Sequence, residues 1–266
     1  HPFTRPKRGV YKLGWPKSDV IFQNQSAFKK GTDEIRSKLN LQHKRTILYA
    51  PSWENDRKQD QFVQSLKNMP VNLLLKQAPW SDEYPNIIEN IKIMNNLHRN
   101  YAPNVHIIDP DISIMFCIGV ADIIVSDESS VMFEGLFLDV PSVAVTDWKI
   151  PDCSPPRDPS IPYDFVYKTE ASDLKNQVQQ ILYNIDQAKD RIKELKKEYF
   201  VNFGTSSKKI MNVVDDLVES NKTDIKSVVP MHKLKNIATL TRMRRQYMKY
   251  RAMFKLWLHY NRMRKR

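Results

Sequence analysis

Ten residues, Val125-Ser126-Asp127-Glu128-Ser129-Ser130-Val131-Met132-Phe133-Glu134, place two adjacent hydroxyls and three carboxylates where an apolar run gives way to a helical pattern. Ala121 to Val125 reads as a strand and Val131 to Leu138 as a compact helix, so Ser129 and Ser130 fall at the helix's first turn. Backbone N–H groups there lack intrahelical partners and, aided by the helix dipole, favour a bound phosphate. The competing reading is ordinary capping, because Asp127 and Ser129 are residue types that close helix N-termini.

The surrounding elements bear on that choice. Thr46 to Tyr49 reads as a strand, Gln59 to Lys67 as a helix and Val71 to Lys76 as a strand, with a helix within Glu83 to Asn100. Val105 to Ile108 is then a strand, Ile112 to Val120 a helix, Ala121 to Val125 a strand, Ser130 to Leu138 a helix and Ser142 to Val145 a strand. Strands apolar on both faces that alternate with helices indicate a doubly wound α/β domain with a covered parallel sheet. Ligands of such sheets bind beyond the strands' carboxyl ends. Pro51, Ser52 and Trp53, then Gln77 and Ala78, then Asp109, Ser126 to Ser130 and Asp147 all fall on that rim.

A proline-rich loop from Pro151 to Pro162 precedes an expected further edge strand, Phe165 to Lys168. One long helical pattern, with room for a kink, follows from Ala171 to Phe200. Gly204 is suited to a helix end and Thr205 or Ser206 to the next N-cap, and that next helix runs to about Glu219. The expected organisation is a leading segment over 1–45, a remnant of or linker from a missing N-terminal half, an α/β domain over 46–219, a linker over 220–232 and a helical tail over 233–266. A start at His1 without methionine is what a processed chain or a piece of something longer would show.

The 266 residues carry a net charge of +12, and its location matters. Residues 233–266 hold twelve Lys or Arg and no acid, which leaves 30 basic residues against 30 acidic ones elsewhere. The body is neutral, so a general affinity for nucleic acid is not expected of it. In the tail, Leu240, Met243, Tyr247, Tyr250, Phe254 and Trp257 recur at spacings of three and four, an amphipathic helical pattern. Arg242, Arg244, Arg245, Lys249, Arg251 and Lys255 between them, with Trp257, suit an anionic membrane surface, each cation contributing about 1 kcal/mol there. A nucleic-acid arm and a helix packed back on the domain are the alternatives. No stretch approaches the roughly 20 apolar residues that span a bilayer. Cys117 and Cys153 indicate neither a disulfide framework nor a metal site and suit a reducing cytoplasm.

Four motifs in order resemble the CDP-glycerol glycerophosphotransferase family, the teichoic acid and capsule polymerases and primases with a GT-B fold. Gly14-Trp15-Pro16-Lys17-Ser18-Asp19 is similar to its G-Y-P-R-N-D, and Tyr49-Ala50-Pro51-Ser52-Trp53 to its Y-A-P-T-W. Ser126 to Glu134 is similar to its T-D-Y-S-S-V-x-F-D/E, and Gly204-Thr205-Ser206-Ser207 to its G-x-A-S. The resemblance spans roughly residues 10 to 217 and corresponds to the family's donor-binding, Rossmann-like C-terminal half. It implies that Ser129 and Ser130 hold the diphosphate of a CDP-activated donor and that Glu134 bonds the ribose, with no metal and no cofactor. Ser126, Asp127, Lys17, Asp19, Ser52, Trp53 and Ser206 complete the expected donor site. Two departures stand out. Ala78 occupies the place of a family histidine in Leu73-Leu74-Leu75-Lys76-Gln77-Ala78-Pro79, and Lys17 replaces an arginine that could grip phosphate bidentately.

His43, His98 and His106 read as surface or strand-edge residues, which leaves no evident general base. Trp53 and Trp80 suit stacking on a nucleobase, or equally the filling of a rim crevice. The expected function is transfer of glycerol phosphate, or a related polyol phosphate, from a CDP-activated donor to a cell-surface polymer or lipid-linked acceptor. The expected location is the inner face of the cytoplasmic membrane. A UDP-sugar glycosyltransferase or epimerase-like protein and a non-catalytic binding module are the alternatives.

Overall fold

The computed structural model describes residues 10–219. The linker and basic tail expected over 220–266, including Arg242, Arg244, Arg245, Lys249, Arg251, Lys255 and Trp257, lie outside the described residues. The chain forms two compact units, one over Val20–Phe200 and one drawing on residues 10–19 and 201–219.

Helix α1 (Pro16–Gln23) carries the chain from residues 10–19 into the larger unit, which continues through α2 (Gln25–Leu39), β1 (Arg45–Tyr49), α3 (Lys58–Leu66), β2 (Val71–Lys76) and α4 (Pro85–His98). Next come β3 (Val105–Ile108), α5 (Ile114–Val120), β4 (Ile123–Ser126), α6 (Val131–Phe137), β5 (Ser142–Val145) and β6 (Val166–Thr169). The unit closes with α7 (Leu174–Tyr183) and α8 (Ile185–Tyr199). The six strands are parallel in the order β3-β2-β1-β4-β5-β6. The order reverses between β1 and β4, and doubly wound sheets open their ligand crevice at such a reversal.

The strands are built from residues that can be buried on both sides. Tyr49, Leu73, Leu75, Val125 and Val143 pack on one face with Phe62 and Leu66 of α3 and Leu174 and Val178 of α7. On the other face Gly135 brings α6 against Ile124, where an added Cβ would meet its side chain at 2.6 Å. Helix α4 joins the α3 face through hydrogen bonds from Gln59 to Asn95 and His98.

Within the leading segment, α2 packs on α5, with Phe28 against Phe116 at 6.0 Å between ring centroids and Gly31 lying over the Phe116 ring. The helical pattern over 171–200 is interrupted once, at the kind of break for which the sequence leaves room. Asn184, at φ −112° and ψ 36°, leaves the helical region and separates α7 from α8.

In the smaller unit, α9 (Ser206–Glu219) meets the segment around Gly14. Gly14 has φ +103°, and a Cβ there would fall 2.2 Å from Ser206 Oγ and 2.5 Å from the Val201 carbonyl, so both conformation and space require glycine.

Candidate functional site

The crevice between β1 and β4 is closed from below by hydrogen bonds. Ala50 N–H donates to the Val125 carbonyl at 3.1 Å and Ser126 Oγ to the Ala50 carbonyl at 2.7 Å. Asp127 then ties the two rim loops together. Its carboxylate accepts from Ser52 N–H at 2.7 Å, Trp53 N–H at 3.4 Å and Glu128 N–H at 2.7 Å, and pairs with Lys58 Nζ at 3.0 Å. The side chains of Lys58 and Asp127 are both 0% exposed. The carboxylate so enclosed and the buried Ser126 hydroxyl brace the two rim loops from within.

Ser129 and Ser130 remain on the surface of that turn, half-buried and exposed respectively. Ser130 is the N-cap of α6 but makes no side-chain cap, and Ser129 Oγ accepts from Val131 N–H at a long 3.4 Å. Capping therefore leaves the Ser130 hydroxyl uncommitted. Helix α6 has only 7 residues, so local N–H and hydroxyl donors, rather than a long helix dipole, would hold an anion here. Glu134 lies one turn further on, 4% exposed. The Arg157 guanidinium clasps Glu128 at 2.6 and 2.7 Å, which holds the Glu128 carboxyl below its ordinary value and neutralises a charge beside the serines.

The structure assigns Asp19 and Ser206 to each other. Asp19 is buried and accepts from Ser206 N–H at 3.0 Å and Ser207 N–H at 2.6 Å, capping α9. Burial works to raise this carboxyl, but the Ser207 and Ser206 hydrogen bonds outweigh it and hold it below its ordinary value. Ser206 is itself buried, its hydroxyl donating to the Asn202 carbonyl at 3.0 Å. Asp19 and Ser206 thus form a cap and the start of its helix. Lys17 is exposed, with its ammonium 5.7 Å from the Trp15 ring centroid.

Sequence reading missed Lys58, because an amphipathic helix start carries no mark of a partner 69 positions away. It also misplaced His98, which is fully buried between Gln59 and Asp60 rather than on the surface. Beneath the rim, buried Glu54 accepts from Tyr49 Oη at 2.6 Å and Gln77 Nε2 at 2.8 Å, and burial raises its carboxyl above its ordinary value. Above it, Trp53 and Trp80 lie 4.9 Å apart by ring centroid, with Tyr84 as an unforeseen third ring. A cleft of about 670 Å³ at the opposite end of the sheet includes Arg36, Lys44 and Lys189. Helices α2, α5 and α6 end there, Asp122 and Asp139 line the same cleft, and Lys189 pairs with Asp122 at 3.8 Å.

Among solved structures, wall teichoic acid polymerase TagF matches with a TM-score of 0.51 and 20% identity, over 80% of this chain and 53% of that one. A TagF variant soaked with CDPG gives 0.50 and 21%, over 79% and 51%. UDP-GlcNAc 2-epimerase from Neisseria meningitidis, bound to UDP-GlcNAc, gives 0.50 and 14%, over 78% and 54%. At these identities the likeness is one of fold, and the chain spans about half the length of each structure it matches. No curated protein matches. The sequence profile of the CDP-glycerol:poly(glycerophosphate) glycerophosphotransferases matches residues 2–216, taking in both rim loops and the Gly14 and Gly204 segments. Because that match covers most of the chain and the sheet has the GT-B-like arrangement, the chain belongs to the CDP-glycerol:poly(glycerophosphate) glycerophosphotransferase family.

Proposed function

We propose that the chain binds CDP-glycerol, or a close CDP-activated polyol phosphate, as the donor-binding half of a transferase that delivers the polyol phosphate to an acceptor hydroxyl. The observation that carries this reading is the pair Ser129 and Ser130, presented at the sheet reversal on a turn anchored by Asp127, with the Ser130 hydroxyl released from capping. Family membership supplies the donor class. The acceptor oxygen attacks the donor's β-phosphorus, the bridging P–O bond breaks and CMP leaves. Donors from Ser129 and Ser130 stabilise the charge that grows on the departing phosphate, and Glu134 takes the ribose hydroxyls. Ser52 and Trp53 form the facing wall through the backbone that Asp127 holds.

Calorimetry with CDP, CMP and UDP tests the reading, with CDP expected to bind best. A hydrogen bond to a charged group contributes about 1.5–3 kcal/mol, so Ser129→Ala and Ser130→Ala should each weaken CDP roughly 10- to 100-fold. Absence of nucleotide binding, or full affinity in the double variant, would refute it. Ala78, exposed where the family resemblance places a histidine, supports a second reading as a non-catalytic donor-binding module. Tight CDP binding without transfer from CDP-glycerol to any glycosylated or polyol-phosphate acceptor would favour that reading.

A further inference from the structure

We propose that Trp53, Trp80 and Tyr84 form a stacking platform for a sugar ring of the acceptor, which makes the acceptor a glycoside rather than a bare polyol-phosphate chain. The orientation rests on reading Ser129 and Ser130 as the donor-phosphate site.

The three rings form a cluster at the carboxyl rim, with centroid separations of 4.9, 5.1 and 6.3 Å and interplanar angles of 45°, 67° and 80°. Tyr84 is 43% exposed and both tryptophans are only half-buried. Large aromatic area left open beside a crevice is characteristic of a ligand wall, since rigid rings offer contact at little entropic cost. The segments bearing the rings are also locked from beneath. Glu54, directly after Trp53, accepts from Gln77 Nε2 at 2.8 Å in the loop that carries Trp80, and its carbonyl accepts from Asn90 Nδ2 at 3.2 Å on the helix that Tyr84 N-caps. One buried residue thus joins all three segments, the support that a preorganised contact surface requires.

Charge selects among ring-bearing ligands. The run Trp80-Ser81-Asp82-Glu83-Tyr84 carries two exposed carboxylates between two of the ring-bearing residues in sequence and contains no cation. Of the cations on the flanking elements, Lys58 and Lys76 are buried and committed, Lys58 to Asp127 and the Trp53 carbonyl, Lys76 to the carbonyls of Gln77 and Pro110, exposed Arg57 at the start of α3 is paired with Asp60 at 2.7 Å, and Lys92 is exposed on α4. Carboxylates repel a phosphate chain but accept hydrogen bonds from sugar hydroxyls, while the C–H face of a sugar rests on aromatic rings. Placement separates the sugar from the nucleobase. The serine turn leads into α6 on one face of the sheet, and the loops of Trp53 and Trp80 lead into α3 and α4 on the other. With Glu134 of α6 holding the ribose, the nucleoside extends along the α6 face, and the platform stands across the phosphates from it.

The test uses the full chain with methyl glucoside, methyl galactoside, methyl N-acetylglucosaminide, glycerol 3-phosphate and cytidine. Binding is followed by saturation-transfer NMR and tryptophan fluorescence. At least one glycoside should bind, and Trp80→Ala with Tyr84→Ala should weaken it about tenfold, equivalent to about 1.4 kcal/mol, with CDP affinity held within about twofold. The exposed pair Asp82→Asn and Glu83→Gln, which leaves the core untouched, should weaken the same glycoside at least about threefold. Failure of every glycoside to bind, or unchanged glycoside affinity in both variants, would overturn the proposal. So would loss of cytidine and CDP in the aromatic variant, which would make the cluster a base stack. A glycoside bound by the platform in a chain that binds no CDP would support the platform and sink the donor reading alone.

Discussion

Replacing Lys58 by methionine keeps the length of the side chain and removes the only cation facing Asp127 among the described residues. Lys58 Nζ lies 3.0 Å from Asp127 Oδ2 and 3.1 Å from the Trp53 carbonyl, and the two charged side chains are each 0% exposed. At that separation the attraction is about 5–6 kcal/mol for an effective dielectric of about 20. It works against a desolvation cost of several kcal/mol per ion, so the pair adds little net stability. Removing one partner, however, strands the other, at about 3–5 kcal/mol. For a domain of this size that corresponds to a melting temperature lowered by roughly 6–20 °C. Adding Asp127→Asn to Lys58→Met should recover part of the loss, because the amide oxygen still accepts from Ser52 N–H while no charge is left buried. Thermal melts followed by circular dichroism, with urea titration as a check, measure both variants. A Lys58→Met protein that melts within about 2 °C of the parent, or a double variant less stable than the single one, refutes the argument.

Two further outcomes test other links between sequence and fold. Asp19→Ala should expose the Ser206 and Ser207 amides to faster hydrogen exchange by the equivalent of about 1–2 kcal/mol at neutral pH. The Asp19 carboxyl is held below its ordinary value, so its stabilisation is fully present above the ordinary carboxylate range. It disappears as the pH falls through the lowered folded value, and the parent and the variant should converge there. Gly31→Ala in α2 would ordinarily stabilise a helix by about 1 kcal/mol. Here the added Cβ would sit 2.8 Å from the Phe116 ring, and a loss of about 1–3 kcal/mol in urea unfolding is expected instead. A stabilised Gly31→Ala protein would show that α2 does not pack on α5.

The strands were legible because their residues must be apolar on both faces, a demand visible in any short window. Val71–Lys76, Val105–Ile108 and Ser142–Val145 have the bounds that their composition predicts. The rim followed from the alternation of strands and helices. The roles of polar side chains on that rim did not follow. Asp127 and Ser126 carry the same motif signal as Ser129 and Ser130, yet three steps along the turn separate the enclosed Asp127 carboxylate from the exposed Ser130 hydroxyl.

By itself the sequence determined the α/β architecture, the family and the serine turn, since periodicity and ordered motifs are properties of the chain as a string. Only the tertiary structure decided which polar groups are available. Asp19 is taken by amides 187 and 188 positions away, Asp127 by Lys58 69 positions away, and Trp80 and Tyr84 meet Trp53 across a helix, a strand and their connecting loops. Such pairings depend on backbone paths that bring distant groups within about 3 Å and out of water, where an unmet charge or N–H is costly.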